Sequence, residues 1–245
     1  MPKLEPYTKQ LEYSYCLGLY PSLALLDFKP HSAMRLLLSP AGIGNPGVEK
    51  LRERCAFLGI REETAERVLR RESGKDNCYA GIVFKKYSCN LSSATRHVVF
   101  DKISDSGNLG TAIRSALGFG FNDFAMIKPC VDPFDPHVVR ASMGAVFKLN
   151  LKLYDSFEAY LTENGGRTVF PFMLDGAITL NEAVKQAPEN YTLVFGNEAS
   201  GLESRFASYG QSVLIPQSRQ IDSLNLAVAA SIAMYTFNSN EKQQQ

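Results

Sequence analysis

Two kinds of chemistry are thinly supplied in this 245-residue chain. It has three histidines, His31, His97 and His137, far apart in sequence, and five cysteines, Cys16, Cys55, Cys78, Cys89 and Cys130, with no C-x-x-C pair. An odd, scattered set of thiols fits neither a disulfide framework nor a zinc site and sets the expectation of a reduced, cytoplasmic protein without a metal. Long apolar runs are also missing. Stretches such as LNLAVAASIAMYTF are too short and too polar at their edges to span a bilayer, so no membrane partner is expected. The segment MPKLEPYTKQLEYSY carries charges throughout and no apolar core, which gives no sign of a secretory signal. Net charge is scarce as well, at +1, and taken alone argues against a nucleic-acid partner. Its distribution is uneven. Residues 1–95 hold 14 Lys and Arg against 10 Asp and Glu, and residues 96–245 hold 12 against 15. Such asymmetry hints at a polyanion-facing module. The densest segment, REETAERVLRRESGK, also reads as a solvated helix face with i,i+4 pairs Glu63–Arg67 and Glu66–Arg70.

The chain has what a core needs, at 45% hydrophobic and 21% charged residues. PSLALLDF and GVEKLRERCAFLG read as helices, and AMRLLLSP and NCYAGIVFKKY as strands, which makes the first part a small α/β unit. The polar, Ser-rich SCNLSSATRH is the best linker, placing a boundary near residue 93, with domains 1–93 and 94–245. Beyond it, strands and helices alternate from HVVFDKI to a long helix over 223–238, the pattern of a mostly parallel sheet covered on both faces. Ligands in such sheets lie at the carboxyl ends of strands, which here carry DSGN, FGNEASG and PQSRQIDSLN.

DSGNLGTAIRSALGFGF, residues 105–121, follows a strand like a phosphate-binding loop. Its spacing is G-x-x-G and no Gly-Lys-Ser/Thr follows, so a nicotinamide dehydrogenase or a P-loop protein is disfavoured. A purely structural alternative remains for this stretch: Asn108 caps the helix, Gly110 allows close packing and Arg114 is a surface residue. Its company decides otherwise. Asn108, Gly110 and Arg114 match N-x-G-x-x-x-R; Phe195, Gly196, Glu198, Gly201 and Leu202 match F-G-x-E-x-x-G-L; Ile215, Pro216, Ser223, Leu224 and Asn225 match I-P followed by S-L-N. In this order and over residues 97–238 they resemble the motifs of the SpoU-type (TrmH-like) RNA 2′-O-ribose methyltransferases of the SPOUT class. VRASMGAVFKL resembles that family's Arg-x-Ser-x-Gly segment.

The resemblance implies an α/β-knot (trefoil-knot) methyltransferase domain after a small α/β, ribosomal-protein-like RNA-binding domain. It implies transfer of a methyl group from S-adenosylmethionine to a ribose 2′-hydroxyl of tRNA or rRNA, in a homodimer. Arg114 is the foremost catalytic candidate, as proton acceptor or, since a guanidinium is a poor base, as a planar clamp on RNA phosphate. Asn108 would orient Arg114 or the ribose, and Glu198 would hold Arg114 or Asn108. Ser223 and Asn225 would cap a helix while facing substrate or cofactor. Gly196, Asn197, Ile215 and Leu224 would grip the cofactor. Ala227, Ala229 and Ala230 would pack against the cofactor loop, a second subunit or simply the core. One departure stands out: the family usually has proline after the first motif's aspartate, and here Ser106 follows Asp105. The rival from another class is a catalytically silent RNA-binding scaffold of the same fold, which cofactor binding would separate from an enzyme.

Overall fold

Most helices start at a capping side chain in this chain, which a computed structural model describes over residues 4–218 and 220–244. Two compact units emerge. The first contains the chain up to Tyr87: β1 (Tyr13–Leu17), α1 (Leu19–Phe28), β2 (Ala33–Leu38), α2 (Pro46–Phe57), β3 (Arg61–Thr64), α3 (Glu66–Ser73) and β4 (Ala80–Lys85). Its strands form one sheet in the order β1-β4-β2-β3. At α2, Asn45 accepts hydrogen bonds from the backbone N–H of Gly47 and Val48, and Pro46 takes the first helical position, where its missing N–H costs nothing.

The charged segment beginning at Arg61 is not one helix. Arg61–Thr64 is β3, lying parallel to β2, because the open edge of β2 offers hydrogen bonds that outweigh helix propensity. Glu63 therefore meets Arg35 at 3.4 Å in place of Arg67, while Glu66 and Arg70 do pair along α3 at 3.9 Å. Residues 132–148 also belong to this unit. Phe134 and Phe147 pack edge-on against Phe84, with ring centroids 5.7 and 5.2 Å away.

The second unit comprises Ser88–Val131 and the chain from Leu149 onward. It runs through β5 (His97–Asp101), α4 (Ser106–Gly118) and β6 (Asp123–Ile127), then leaves for the first unit, where it forms α5 (Pro136–Ala141). It returns as β7 (Asn150–Tyr154), α6 (Phe157–Glu163), β8 (Thr168–Pro171), β9 (Ile178–Thr179), α7 (Leu180–Gln186), β10 (Tyr191–Phe195), β11 (Val213–Leu214) and α8 (Leu226–Gln244). Five strands form a parallel sheet in the order β7-β6-β5-β10-β8, so β10 enters between two strands laid down before it. All five residues of β5, β6 and β10 are buried, as expected for strands covered on both faces. Val99, Tyr154, Phe157, Tyr160 and Phe206 fill one face of this sheet.

The Ser-rich segment expected as a linker is pinned to this unit. Asp123 accepts from the backbone N–H of Ser92 and from the Thr95 hydroxyl, and Arg167 donates to the carbonyls of Ser92 and Ser93. His97 is fully buried, with Nδ1 2.9 Å from the Tyr160 hydroxyl and Nε2 2.7 Å from the Ser92 carbonyl; burial lowers its pKa. Among the described residues no three His, Cys, Asp or Glu side chains come together as a metal centre requires, and no helix is long and apolar enough to cross a membrane.

Candidate functional site

The carboxyl ends of β5, β10 and β11 carry the three motif loops, and hydrogen bonds join them. The loop after β10 turns back on itself. The backbones of Asn197 and Gly201 exchange two hydrogen bonds, and the Asn197 side-chain carbonyl accepts from the N–H of Ala199 and Ser200. Gly201 sits at φ +66°, in the left-handed region. Gly196 is required for a different reason: a Cβ there would lie 2.2 Å from the Gly201 carbonyl carbon.

Glu198 projects from this loop onto the start of α4. Its carboxylate accepts from the backbone N–H of Ser104 and Asp105, at 3.1 and 2.9 Å, and from the Ser104 hydroxyl at 2.8 Å. The Asn108 amide donates to it at 3.4 Å, and Asn225 donates to the Asn108 carbonyl oxygen at 2.9 Å. A chain Asn225–Asn108–Glu198 thus ties the third, first and second motifs together. Asn225 is also the cap of α8, accepting from the N–H of Ala227 and Val228. Ser223 lies before that cap, exposed on the rim.

Asn108 does not cap α4. Asp105 does, accepting from the Asn108 N–H at 2.7 Å, and this frees the Asn108 amide for the link to Asn225. Ser106 occupies the first helical turn, so the absent proline leaves the cap intact. Arg114 stands apart. It is exposed on α4 and makes no hydrogen bond or ion pair among the described residues, so Glu198 holds Asn108 and not Arg114.

Burial pushes the Glu198 carboxyl up, but the hydrogen bonds from Asp105, from its own backbone and from Ser104 outweigh this, leaving its pKa below the ordinary value. The stabilisation from this anchor is complete above the unfolded carboxyl pKa of ~4.3 and is lost as pH falls through the lowered folded value. Glu198→Gln is expected to lower stability by about 1–3 kcal/mol at pH 7. In thermal denaturation the gap between wild type and variant stays constant from about pH 8 to 5 and narrows below about pH 4; a gap independent of pH down to about pH 3 removes the charge from the account.

Beside this chain lies a cavity of about 290 Å³. Gly196, Asn197, Ile215 and Leu224, the four cofactor candidates, all line it, and Glu198 and Ser223 lie on its wall. Ala229 faces it too, whereas Ala227 and Ala230 are core. Sequence reasoning missed the loop after β8: Phe172, Leu174 and Asp175 also line the cavity, and Phe172 stacks on Phe195 at 4.5 Å. Their position just past the end of a parallel strand was the available signal. Apolar side chains, exposed backbone and two carboxylates make this a place for a flat ring system carrying a positive charge.

Fold and site together define an α/β domain with a ligand cavity at the carboxyl ends of a parallel sheet. More particularly, residues 95–235 match the SpoU rRNA methylase family model, and the chain belongs to that family. It is 31% identical over 141 residues to an uncharacterized tRNA/rRNA methyltransferase of Synechocystis, covering 56% of this chain and 51% of that protein. Identity is also 31%, over 56% of this chain and 52% of the relative, to the 23S rRNA (adenosine(1067)-2′-O)-methyltransferase of Streptomyces laurentii. The chain spans about half the length of the curated relatives it matches. An AdoMet-bound rRNA methyltransferase from Sinorhizobium meliloti superposes with a TM-score of 0.79 at 25% identity, covering 93% of this chain and 87% of that one. The SpoU methyltransferase AviRb from Streptomyces viridochromogenes shares the fold, with a TM-score of 0.80 at 20% identity, covering 96% of this chain and 91% of that one.

Proposed function

We propose that the protein transfers a methyl group from S-adenosylmethionine to a ribose 2′-hydroxyl of tRNA or rRNA. The observation that carries this is the Asn225–Asn108–Glu198 chain, which joins three motif loops at the edge of the cavity. The cavity suits the cofactor: Gly196, Ile215 and Leu224 offer backbone and apolar contact, and Glu198 and Asp175 oppose a sulfonium charge. When bound, S-adenosylmethionine supplies an electrophilic methyl group. The chain's own part is to orient the ribose, exclude water and manage the proton released from the 2′-hydroxyl.

Glu198 is unsuited to take that proton. Its oxygens already accept from Ser104, Asp105 and Asn108, and it holds its own proton weakly. It acts as an anchor. Asn108, held by Glu198 at one end and Asn225 at the other, presents a fixed amide at the start of α4. Arg114, free of partners among the described residues, can turn its fork onto an RNA phosphate next to the reacting ribose.

The same reading includes a trefoil knot, supported by the late entry of β10 and by two tight backbone crossings, at Gly196 and at Gly176, where a Cβ would lie 2.3 Å from the Val213 carbonyl carbon. It includes RNA capture by residues 1–93, a ribosomal-protein-like unit with the basic excess, and methyl transfer by residues 94–245. It includes a homodimer, supported by an exposed apolar stripe on α8: Val228 (48% exposed), Ile232 (37%) and Tyr235 (58%) follow helical spacing, and Tyr235 meets Phe119 edge-on at 5.6 Å. Five free cysteines support a cytoplasmic setting. The test is mass mapping of ribose methylation in total RNA from cells with and without the protein. Loss of a 2′-O-methyl group at one tRNA or rRNA position is expected; an unchanged map rejects the proposal.

A further inference from the structure

A second cleft, shallow and open to solvent, lies beside the loop after β10. Lys102 and Ser104 enter it from the end of β5, and Pro129, Cys130 and Val131 from the end of β6. Asn197 and Ser200 line both this cleft and the cofactor cavity, so residues 197–200 are a shared wall between them. The ribose of the second reactant must reach this shared wall, where Glu198 holds Asn108.

Lys102 is built unusually. Its φ of +58° lies in the left-handed region, a strained conformation for a residue with a side chain. Both of its peptide groups hold it there: its N–H donates to the Ile127 carbonyl at 3.2 Å, and its carbonyl accepts from the Asn197 amide at 2.9 Å. The ammonium pairs with Glu203 at 2.5 Å, with both side chains substantially exposed. Such an exposed surface pair is weak, so a phosphate can displace Glu203 at little cost. The strained backbone therefore fixes a cation that stays available.

We propose that this cleft receives the nucleotide whose ribose is methylated, with Lys102 on its phosphate, the hydroxyls of Ser104 and Ser200 on its polar edge, and its base against Pro129, Cys130 and Val131. The assignment rests on the functional reading above and adds to it a substrate subsite separate from the cofactor cavity. The Glu203 hydrogen bond, and after it the charge of Asp101, keep the ammonium protonated above its ordinary range. Asp101 is 2% exposed, directly before Lys102, and one of its oxygens has no hydrogen-bond partner among the described residues.

The test measures methyl transfer from tritiated S-adenosylmethionine to total RNA from a strain lacking the protein, alongside calorimetric binding of S-adenosylmethionine. For Lys102→Gln, KM for RNA should rise at least ~10-fold, the loss expected of one charge-assisted contact, while cofactor affinity stays within about twofold. Lys102→Arg, which keeps the cation, should return KM to within about threefold of wild type. Val131→Asp, which adds a carboxylate to the cleft that is to receive an anionic nucleotide, should raise KM independently and guards against a folding defect at position 102. An unchanged KM in Lys102→Gln or in Val131→Asp, with transfer by the wild-type protein, overturns the subsite alone. No transfer by the wild-type protein overturns the functional reading and the subsite with it.

Discussion

Arg114→Ala is expected to leave the protein folded and able to bind S-adenosylmethionine while lowering kcat by about 10²–10³-fold, the loss typical of removing one group that meets transition-state charge. The separation of stability from activity follows from its surroundings. Arg114 is exposed on α4 and has no hydrogen bond or ion pair among the described residues, so truncation breaks nothing within the protein. Substitutions at such positions usually change stability by less than ~0.5 kcal/mol. An arginine kept only as a solvated surface residue would leave both stability and turnover unchanged. Arg114→Lys should fail nearly as badly, because an ammonium is a point charge and cannot bind a phosphate through two parallel N–H groups. Thermal denaturation, calorimetry with S-adenosylmethionine and single-turnover methyl transfer check the three parts separately. Near-wild-type turnover of Arg114→Lys would exclude both the phosphate clamp and a role for Arg114 as proton acceptor.

The alternating strands and helices of the second unit were legible because its central strands, β5, β6 and β10, are fully buried, largely apolar runs and its helices begin at capping residues. Asp105, Ser156 and Thr179 each accept from a backbone N–H of the first turn, and Thr179 with Glu182 completes a capping box. The motif residues were legible as a set, and three of them, Asn108, Glu198 and Asn225, form one hydrogen-bonded chain. What escaped depends on contacts distant in sequence. β3 is a strand only because β2 offers it an edge, and no periodicity in REET announces that. Residues 132–148 lie between two strands of one sheet yet pack in the other unit, through Phe134 and Phe147 against Phe84. A boundary drawn at one point in the sequence cannot represent such an excursion. Asn108 was open to reading as a cap because Asn is a good capping residue; Asp105, three residues earlier, occupies the position whose backbone is extended and whose oxygen reaches the free N–H.

Gly196→Ala should abolish cofactor binding, weakening S-adenosylmethionine affinity by at least ~100-fold, and should destabilise the fold by about 1–3 kcal/mol as overpacking does. A single methyl has this effect because of what it meets. The added carbon would fall 2.2 Å from the Gly201 carbonyl carbon, 2.3 Å from its oxygen and 2.4 Å from the Leu202 nitrogen. These are backbone atoms, so no side chain can rotate aside. Relief requires the loop to open, and its closure is held by the paired backbones of Asn197 and Gly201. Opening moves Asn197, Ser200 and Leu202, which line the cavity, and pulls Glu198 from the N–H groups of Ser104 and Asp105. One substitution thus deforms the cavity and loosens the anchor of Asn108 together. Gly201→Ala provides the contrast. A Cβ there meets nothing within 4 Å, so its penalty comes only from a φ of +66°, about 1–2 kcal/mol of backbone strain with the loop still closed. Calorimetric titration of both variants, with thermal denaturation in parallel, separates the two effects. Measurable cofactor binding is expected in Gly201→Ala and none in Gly196→Ala; equal affinities would mean that the backbone crossing at Gly196 does not shape the cavity.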